Sequence, residues 1–349
     1  MKIVIVCNSL NTDLVTYFKN EYSALIKVYD VLVCKNKNIE HNIFKNYFNS
    51  SFSKKAFLDK LSLIDFIISI RLLFKILISK SEIIHFTTAH GSNLFLSIIL
   101  KPFHVKQVFT IHDLEPHPGF KSKFITFYNN LVINFLADKI LTFSKGSLSN
   151  QKRSNKFYSF PLSGFDQVIK TKKTGQNILF FGRIDQYKGL ENLYIIAKEC
   201  YRRKLPWNFI VAGKGDHPSL KKISSLPNST SINRFIENKE IFELFNDSAF
   251  TILPYSSATQ SGVSILSFAY ATPVLANNVG FLSEYIEDNK NGKLFNPDSP
   301  LDIVNYLSNV TKEEILAQSQ YCIDIFNNKY SVESYKKYIL EFFNNIQYE

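Results

Sequence analysis

Short apolar runs recur along the chain, and between them lie segments whose apolar residues return every three or four positions. Runs rich in Val, Ile, Leu and Phe without polar alternation read as strands buried on both faces, and the intervening period is helical. In the first half this predicts strands at Lys2–Val6, Val28–Val33, Glu82–Phe86, Gln107–Ile111 and Lys139–Phe143, separated by helices such as Leu14–Ile26 and Phe124–Leu136. In the second half the strands are Asn177–Phe181, Asn208–Ala212, Ser231–Phe235, Ala249–Leu253 and Pro273–Ala276, with helices near Leu190–Arg203, Lys239–Phe245 and Ser264–Tyr270. Strands alternating with helices imply parallel sheets covered on both sides, so the pattern predicts two doubly wound α/β halves. The rhythm lapses in Phe160-Pro-Leu-Ser-Gly-Phe-Asp-Gln167, which places a linker between an N-terminal domain, 1–165, and a second domain, 166–330. The remainder, 331–349, reads as a terminal helix over Ser331–Phe343, expected to pack back toward the N-terminal domain.

The most apolar window, Leu63 to Ile78, carries Asp65, Arg71 and Lys75, whereas a bilayer span needs ~20 nearly uncharged residues. It is expected to be a largely buried helix. Met1-Lys-Ile-Val-Ile-Val-Cys7 has too short an apolar run for a signal peptide and reads as a first strand. Cys7, Cys34, Cys200 and Cys322 are far apart and unpaired in spacing, which suits a reduced cytoplasm. The net charge of +11 is one-sided: residues 1–165 hold 21 Lys and Arg against 10 Asp and Glu, while 166–349 balance at 20 each. A basic half is the footprint of an anionic partner such as an acidic membrane, a phosphorylated lipid or a nucleic acid; a merely solubilising surface fits equally well.

Ligands of open α/β sheets bind beyond the carboxyl ends of the strands, so the residues that follow strands are the candidates for chemistry. After Asn177–Phe181 comes Gly182-Arg183-Ile184-Asp185-Gln186-Tyr187-Lys188-Gly189, two cations between glycines on one loop ahead of a helix. That suits a diphosphate, each charge-assisted bond contributing ~1.5–3 kcal/mol, although a basic turn capped by Gly189 remains open. Gly213-Lys-Gly-Asp216 is a glycine turn and weak by itself. Ala249–Leu253 leads through a small-residue turn, Ser256 to Thr259, into a helix opening near Ser261-Gly262-Val263, whose free first amides, from Thr259 to Val263, suit phosphate oxygens.

In this order the motifs are specific. Gly-Arg…Lys-Gly, then Ala-Gly-Lys-Gly-Asp, then Leu253-Pro-Tyr…Gln260-Ser-Gly-Val…Pro273-Val-Leu-Ala…Val279-Gly-Phe-Leu-Ser-Glu284, then Asn291-Gly-Lys-Leu-Phe-Asn-Pro297 resembles the donor domain of family 4 retaining glycosyltransferases of the GT-B fold, over about residues 177–300. The first half matches more loosely, through Thr110-Ile-His112-Asp113 and Ala137-Asp138-Lys-Ile-Leu-Thr-Phe-Ser144. The resemblance implies a GT-B architecture of two Rossmann-like domains facing a cleft. It gives Arg183 and Lys188 to the donor diphosphate, His112 to the donor sugar, and these three to catalysis. Gly182, Thr259, Gln260, Ser261, Gly262, Val263 and Glu284 complete the donor set, and Arg234, Phe235 and Ile236 lie where the family holds the base through backbone. Asp113 at the strand's end and His117 in the Pro/Gly loop behind it fall on the acceptor side. Glu284 either reaches the ribose or stabilises its own helix, and His112-Asp113 also reads as a strand-end capping pair.

The two glutamates that the family usually carries in this stretch are absent: Ala258 and Leu266 stand at their positions, and Gln260 or Ser261 is left to contact the sugar. Transfer with retention is implied, the leaving diphosphate being stabilised by positive charge and helix-start amides. No metal or cofactor is expected, because no Asp-x-Asp pair occurs and the histidines, among them His85 and His90, are scattered. Lys54, Lys55, Lys60, Arg71 and Lys75 among Phe57, Leu58, Leu63 and Phe66 suit an anionic membrane surface and so a polyprenyl-diphosphate-linked acceptor. The leading reading is a hexosyltransferase at the inner face of the cell membrane that extends a bacterial capsule or O-antigen unit. A non-catalytic nucleotide-sugar-binding or partner subunit is the alternative, motivated by the missing glutamates; a nucleic-acid binder has only the charge in its favour, and none is expected.

Overall fold

A computed structural model of the chain describes all residues except 9–11, 37, 41, 51–62, 113, 115–122, 144, 149–153, 165, 167–171, 173, 174, 259, 260, 348 and 349. Asp113, His117, Thr259 and Gln260 therefore lie outside the described residues, as do Lys54, Lys55, Phe57, Leu58, Lys60 and the side chains of Leu63 and Phe66. The chain separates into two compact units, one running to Gly164 and resuming at Val332, the other taking the residues up to Ser331.

In the first unit seven strands, β1 (Lys2–Cys7), β2 (Asp30–Asn36), β3 (Tyr47–Ser50), β4 (Ile83–Phe86), β5 (Lys106–Thr110), β6 (Lys139–Thr142) and β7 (Phe157–Ser159), form a parallel sheet in the order β3-β2-β1-β4-β5-β6-β7. The order reverses at β1, and right-handed crossovers then put the helices before and after the reversal on opposite faces. Helix Thr12–Leu25 and the terminal helix Val332–Gln347 cover one face, where Phe18, Tyr22, Ile339, Phe342 and Phe343 join the core. Helices Leu63–Ile78, Gly91–Leu100 and Lys123–Leu131, the last continued by a wide turn to Leu136, cover the other with Leu72, Ile76, Leu96, Tyr128 and Val132.

Leu63–Ile78 is the helix expected from its apolar run, but it is not largely buried. Ile68, Leu72 and Ile76 face the sheet, whereas Ile67, Phe74 and Ile78 are exposed, Ile78 by 80%. One side of this helix meets the core and no described element covers the other. All four cysteines are buried. His85 is likewise internal: its Nδ1 lies 2.6 Å from Glu21 and its Nε2 2.8 Å from the Thr110 hydroxyl, an arrangement that satisfies a buried pair and has no outlet to solvent.

The second unit repeats the plan. Strands β8 (Asn177–Phe181), β9 (Asn208–Ala212), β10 (Ser229–Ile232), β11 (Ser248–Leu253), β12 (Val274–Asn277) and β13 (Gly292–Phe295) form a parallel sheet in the order β10-β9-β8-β11-β12-β13. β10 starts two residues before the predicted Ser231–Phe235 and stops at Ile232, because Asn233 leaves the ladder to exchange hydrogen bonds of 3.1 and 3.0 Å with the backbone of Gly215. Arg234, Phe235 and Ile236 thus follow the strand. The reversal in this sheet falls between β8 and β11, and there the loops with the candidate residues meet.

Candidate functional site

The β8 loop turns at Gly182, whose φ is +110°, and an added Cβ there would lie 3.6 Å from Val263, so this glycine abuts the start of helix Gly262–Ala269. Asp185 caps the following turn by accepting from the Gln186 amide at 2.8 Å, and one of its carboxylate oxygens lies 3.4 Å from Nε of the exposed Arg183. At the end of that turn, the ammonium of Lys188 stands 3.8 Å over the ring of Tyr255 and 5.1 Å over that of Tyr187. Burial and then repulsion from Arg183 push Lys188 down to about 8, with Asp185 opposing. Gly189 closes the loop with a φ of +68°, and a Cβ there would sit 1.8 Å from the Pro254 carbonyl oxygen; no side chain fits between the two loops. Ser256 fixes them together, its amide donating to the Tyr187 carbonyl at 2.9 Å.

On the β11 side, Ser261 is the N-cap of helix Gly262–Ala269 but makes no capping hydrogen bond. Its hydroxyl, the neighbouring hydroxyl of Tyr255 and that of Ser264 are buried without a completed hydrogen bond. Gly262 is exposed, with open space where a Cβ would point. The helix start therefore offers free amides beside two cations, with no carboxylate anywhere from Leu253 to Gly280 to repel an anion. Ala258 is buried, its carbonyl pressed against Gly280, where an added Cβ would lie 1.6 Å away at a φ of +56°. Chemically this arrangement suits a phosphate-bearing ligand.

Of the residues expected here, Gly182, Arg183, Lys188, Ser261, Gly262 and Val263 converge on the β8–β11 reversal. Arg234 lies beyond β10 and is engaged by Glu240, which accepts from Nη1 at 2.8 Å and holds the guanidinium well charged. Phe235 beside it is 78% exposed and Ile236 is buried. Glu284 is exposed at the end of a single turn, Leu282–Glu284, rather than inside a helix. In the first unit His112 follows β5 at the carboxyl edge, its Nε2 3.2 Å from the Thr87 carbonyl and its ring 5.2 Å from that of Phe143. His90 caps helix Gly91–Leu100, accepting from the Ser92 amide. Sequence reasoning missed Tyr255, although Leu253-Pro-Tyr stood in the quoted motif, and also Asn277, whose amide donates to the Tyr255 carbonyl at 3.1 Å.

Residues 175–313 match the family model described as "Glycosyl transferases group 1". This stretch is similar to group 1 glycosyltransferase domains. It contains β8 to β13 and hence every residue of the β8–β11 site. A relative, an "Uncharacterized 41.2 kDa protein in cps region" of Klebsiella pneumoniae, is 26% identical over 207 residues, which span 55% of this chain and 57% of that protein. The whole chain has the GT-B fold: it is similar to Anabaena Alr3699/HepE, solved in complex with UDP, at a TM-score of 0.74 and 14% identity, covering 99% of this chain and 100% of the other. It is also similar in fold to the lipopolysaccharide outer core galactosyltransferase WaaB, at a TM-score of 0.70 and 15% identity, covering 100% and 99%.

Proposed function

We propose that the protein is a glycosyltransferase that moves a hexose with retention from a nucleotide-diphosphate sugar to a lipid-linked glycan in the synthesis of a bacterial surface polysaccharide. The observation that carries this reading is the meeting of Arg183, the desolvated Lys188 and the free start of helix Gly262–Ala269 at the strand reversal of the group 1 domain. These groups hold the two phosphates and take up the negative charge that grows on the leaving oxygen as the sugar's C1–O bond breaks. That supply of positive charge makes a metal unnecessary, and turnover is expected to survive a chelator. His112 is assigned to the transferred sugar, with Asp113 and His117 on the acceptor side. Glu284 is assigned to the nucleotide's ribose, Arg234 to Ile236 to its base, and Thr259 and Gln260 to the sugar and phosphates. UDP is the first nucleotide to test, since HepE was solved with UDP and with UDP-glucose. The relative in a cps region favours a capsule as the product over an O-antigen, and a lipid-linked acceptor places the protein at the inner face of the membrane.

The test is incubation with a panel of UDP- and GDP-sugars and a polyprenyl-diphosphate-linked acceptor, with the anomeric configuration of the product read by NMR. A glycoside of the donor's own configuration is expected; an inverted product would contradict retention. A second reading, a nucleotide-sugar-binding subunit without turnover, draws on the absence of any carboxylate between Leu253 and Gly280. It predicts binding with neither transfer nor hydrolysis.

A further inference from the structure

The helical layer on one face of the first sheet has an outer surface unlike that of an ordinary soluble helix. From Phe66 to Ala137 the chain carries seven Lys and Arg against three acids, Glu82, Asp113 and Glu115. None of these acids falls within helices Leu63–Ile78, Gly91–Leu100 and Lys123–Leu131 or the turn that extends the last, so that Asp65 in the first turn is the layer's only carboxylate. On helix Leu190–Arg202, by contrast, Glu199 pairs with both Arg202 and Arg203. Here the exposed positions are apolar instead: Phe74, Ile78, Ile98, Phe103, Phe127 and Phe135 are all exposed, Phe135 by 70%. Ile67, Arg71, Phe74 and Ile78 recur at helical spacing, so cation and apolar side chains share one stripe, flanked by the exposed Lys75 and Lys80.

We propose that this layer is the face with which the protein rests on an anionic lipid bilayer, Phe74, Ile78, Ile98 and Phe103 entering the boundary between headgroups and acyl chains while Arg71, Lys75 and Lys80 meet anionic headgroups. Among the described residues no helix is long and apolar enough to cross a membrane, so the layer lies on the surface. A membrane fits better than a second copy of the chain because a two-fold interface sets each patch against itself and would bring cation to cation, whereas anionic headgroups neutralise it. The inference deepens the membrane-edge placement proposed above and rests on that reading, not on the donor chemistry.

Co-sedimentation of the full chain with phosphatidylcholine vesicles, with and without phosphatidylglycerol, tests it at low and high salt. The protein is expected to sediment with the anionic vesicles at low salt, to be released by salt, and to leave neutral vesicles largely alone. F74E/I78E is expected to lower the partition by at least about tenfold, and Arg71→Glu to weaken it as well, while both variants keep the wild-type circular dichroism spectrum and thermal unfolding midpoint and are thereby shown to be folded. Wild-type sedimentation of F74E/I78E, or indifference of the wild type to anionic vesicles, would overturn the proposal. So would a dimer in free solution that these substitutions dissolve. Failure to bind UDP would count against the donor site alone.

Discussion

Lys188 is the most heavily perturbed cation of the candidate site, and its surroundings explain why. Its ammonium is taken out of water by two tyrosine rings, Arg183 repels it from one side and Asp185 attracts it from another, leaving it near 8. A diphosphate placed against it favours the charged form, so its pKa rises on binding. Below about 8 the lysine is already protonated and binding needs no proton; above that, binding must take one up, and affinity falls with rising pH. Calorimetry of UDP binding at several pH values, in buffers of different ionisation enthalpy, is expected to show proton uptake above 8 and none below 7. The cations themselves were legible from the glycines around them in the sequence. Tyr255 was not, because a ring under an ammonium is a contact between two loops far apart in sequence that only the strand order brings side by side. Arg234 shows the converse: a cation following a strand reads as a ligand group in sequence, yet it is engaged by Glu240 six residues on.

At the scale of elements, long continuous apolar strands were legible and short or half-polar ones were not. Asn177–Phe181 and Asn208–Ala212 coincide with β8 and β9 because they are uninterrupted and buried between neighbours on both sides. β3, β7 and β13 stand at sheet edges, and their segments, Tyr47–Ser50, Phe157–Ser159 and Gly292–Phe295, are too short and mixed to show a period. Leu63–Ile78 was legible as a helix, but its burial was not. Apolarity all round a helix reports burial only when neighbours cover every side, and here one side is bare. The terminal helix shows what an element far along the chain contributes to the first unit. Phe342 and Phe343 are buried against helix Thr12–Leu25 and the sheet. Phe343→Ala leaves a cavity in that layer and is expected to cost about 3–5 kcal/mol, read as a lower urea midpoint at unchanged slope. A loss under about 1 kcal/mol would mean that the helix is dispensable to the unit's core.

For the molecule as a whole, the two parallel sheets with one reversal each were readable from the alternation of strands and helices, and the GT-B fold follows from them. The one-sided charge was readable as well, but not which surface carries it. That needed helices Leu63–Ile78, Gly91–Leu100 and Lys123–Leu131 to be placed together on one face of their sheet, where Asp65 is their only carboxylate. Donor chemistry is drawn from the second unit and the membrane face from the first, so the two readings stand or fall on separate measurements.

The central claim is that the β8–β11 loops bind a nucleotide diphosphate through Arg183 and Lys188. Titration of the full chain with UDP and with GDP in metal-free buffer, alongside Arg183→Ala and Lys188→Met, tests it most directly. Saturable binding of one nucleotide is predicted, weakened by about 10- to 150-fold in each variant, the worth of ~1.5–3 kcal/mol per charge-assisted bond. Absence of binding to either nucleotide, or an affinity that neither substitution changes, would contradict it.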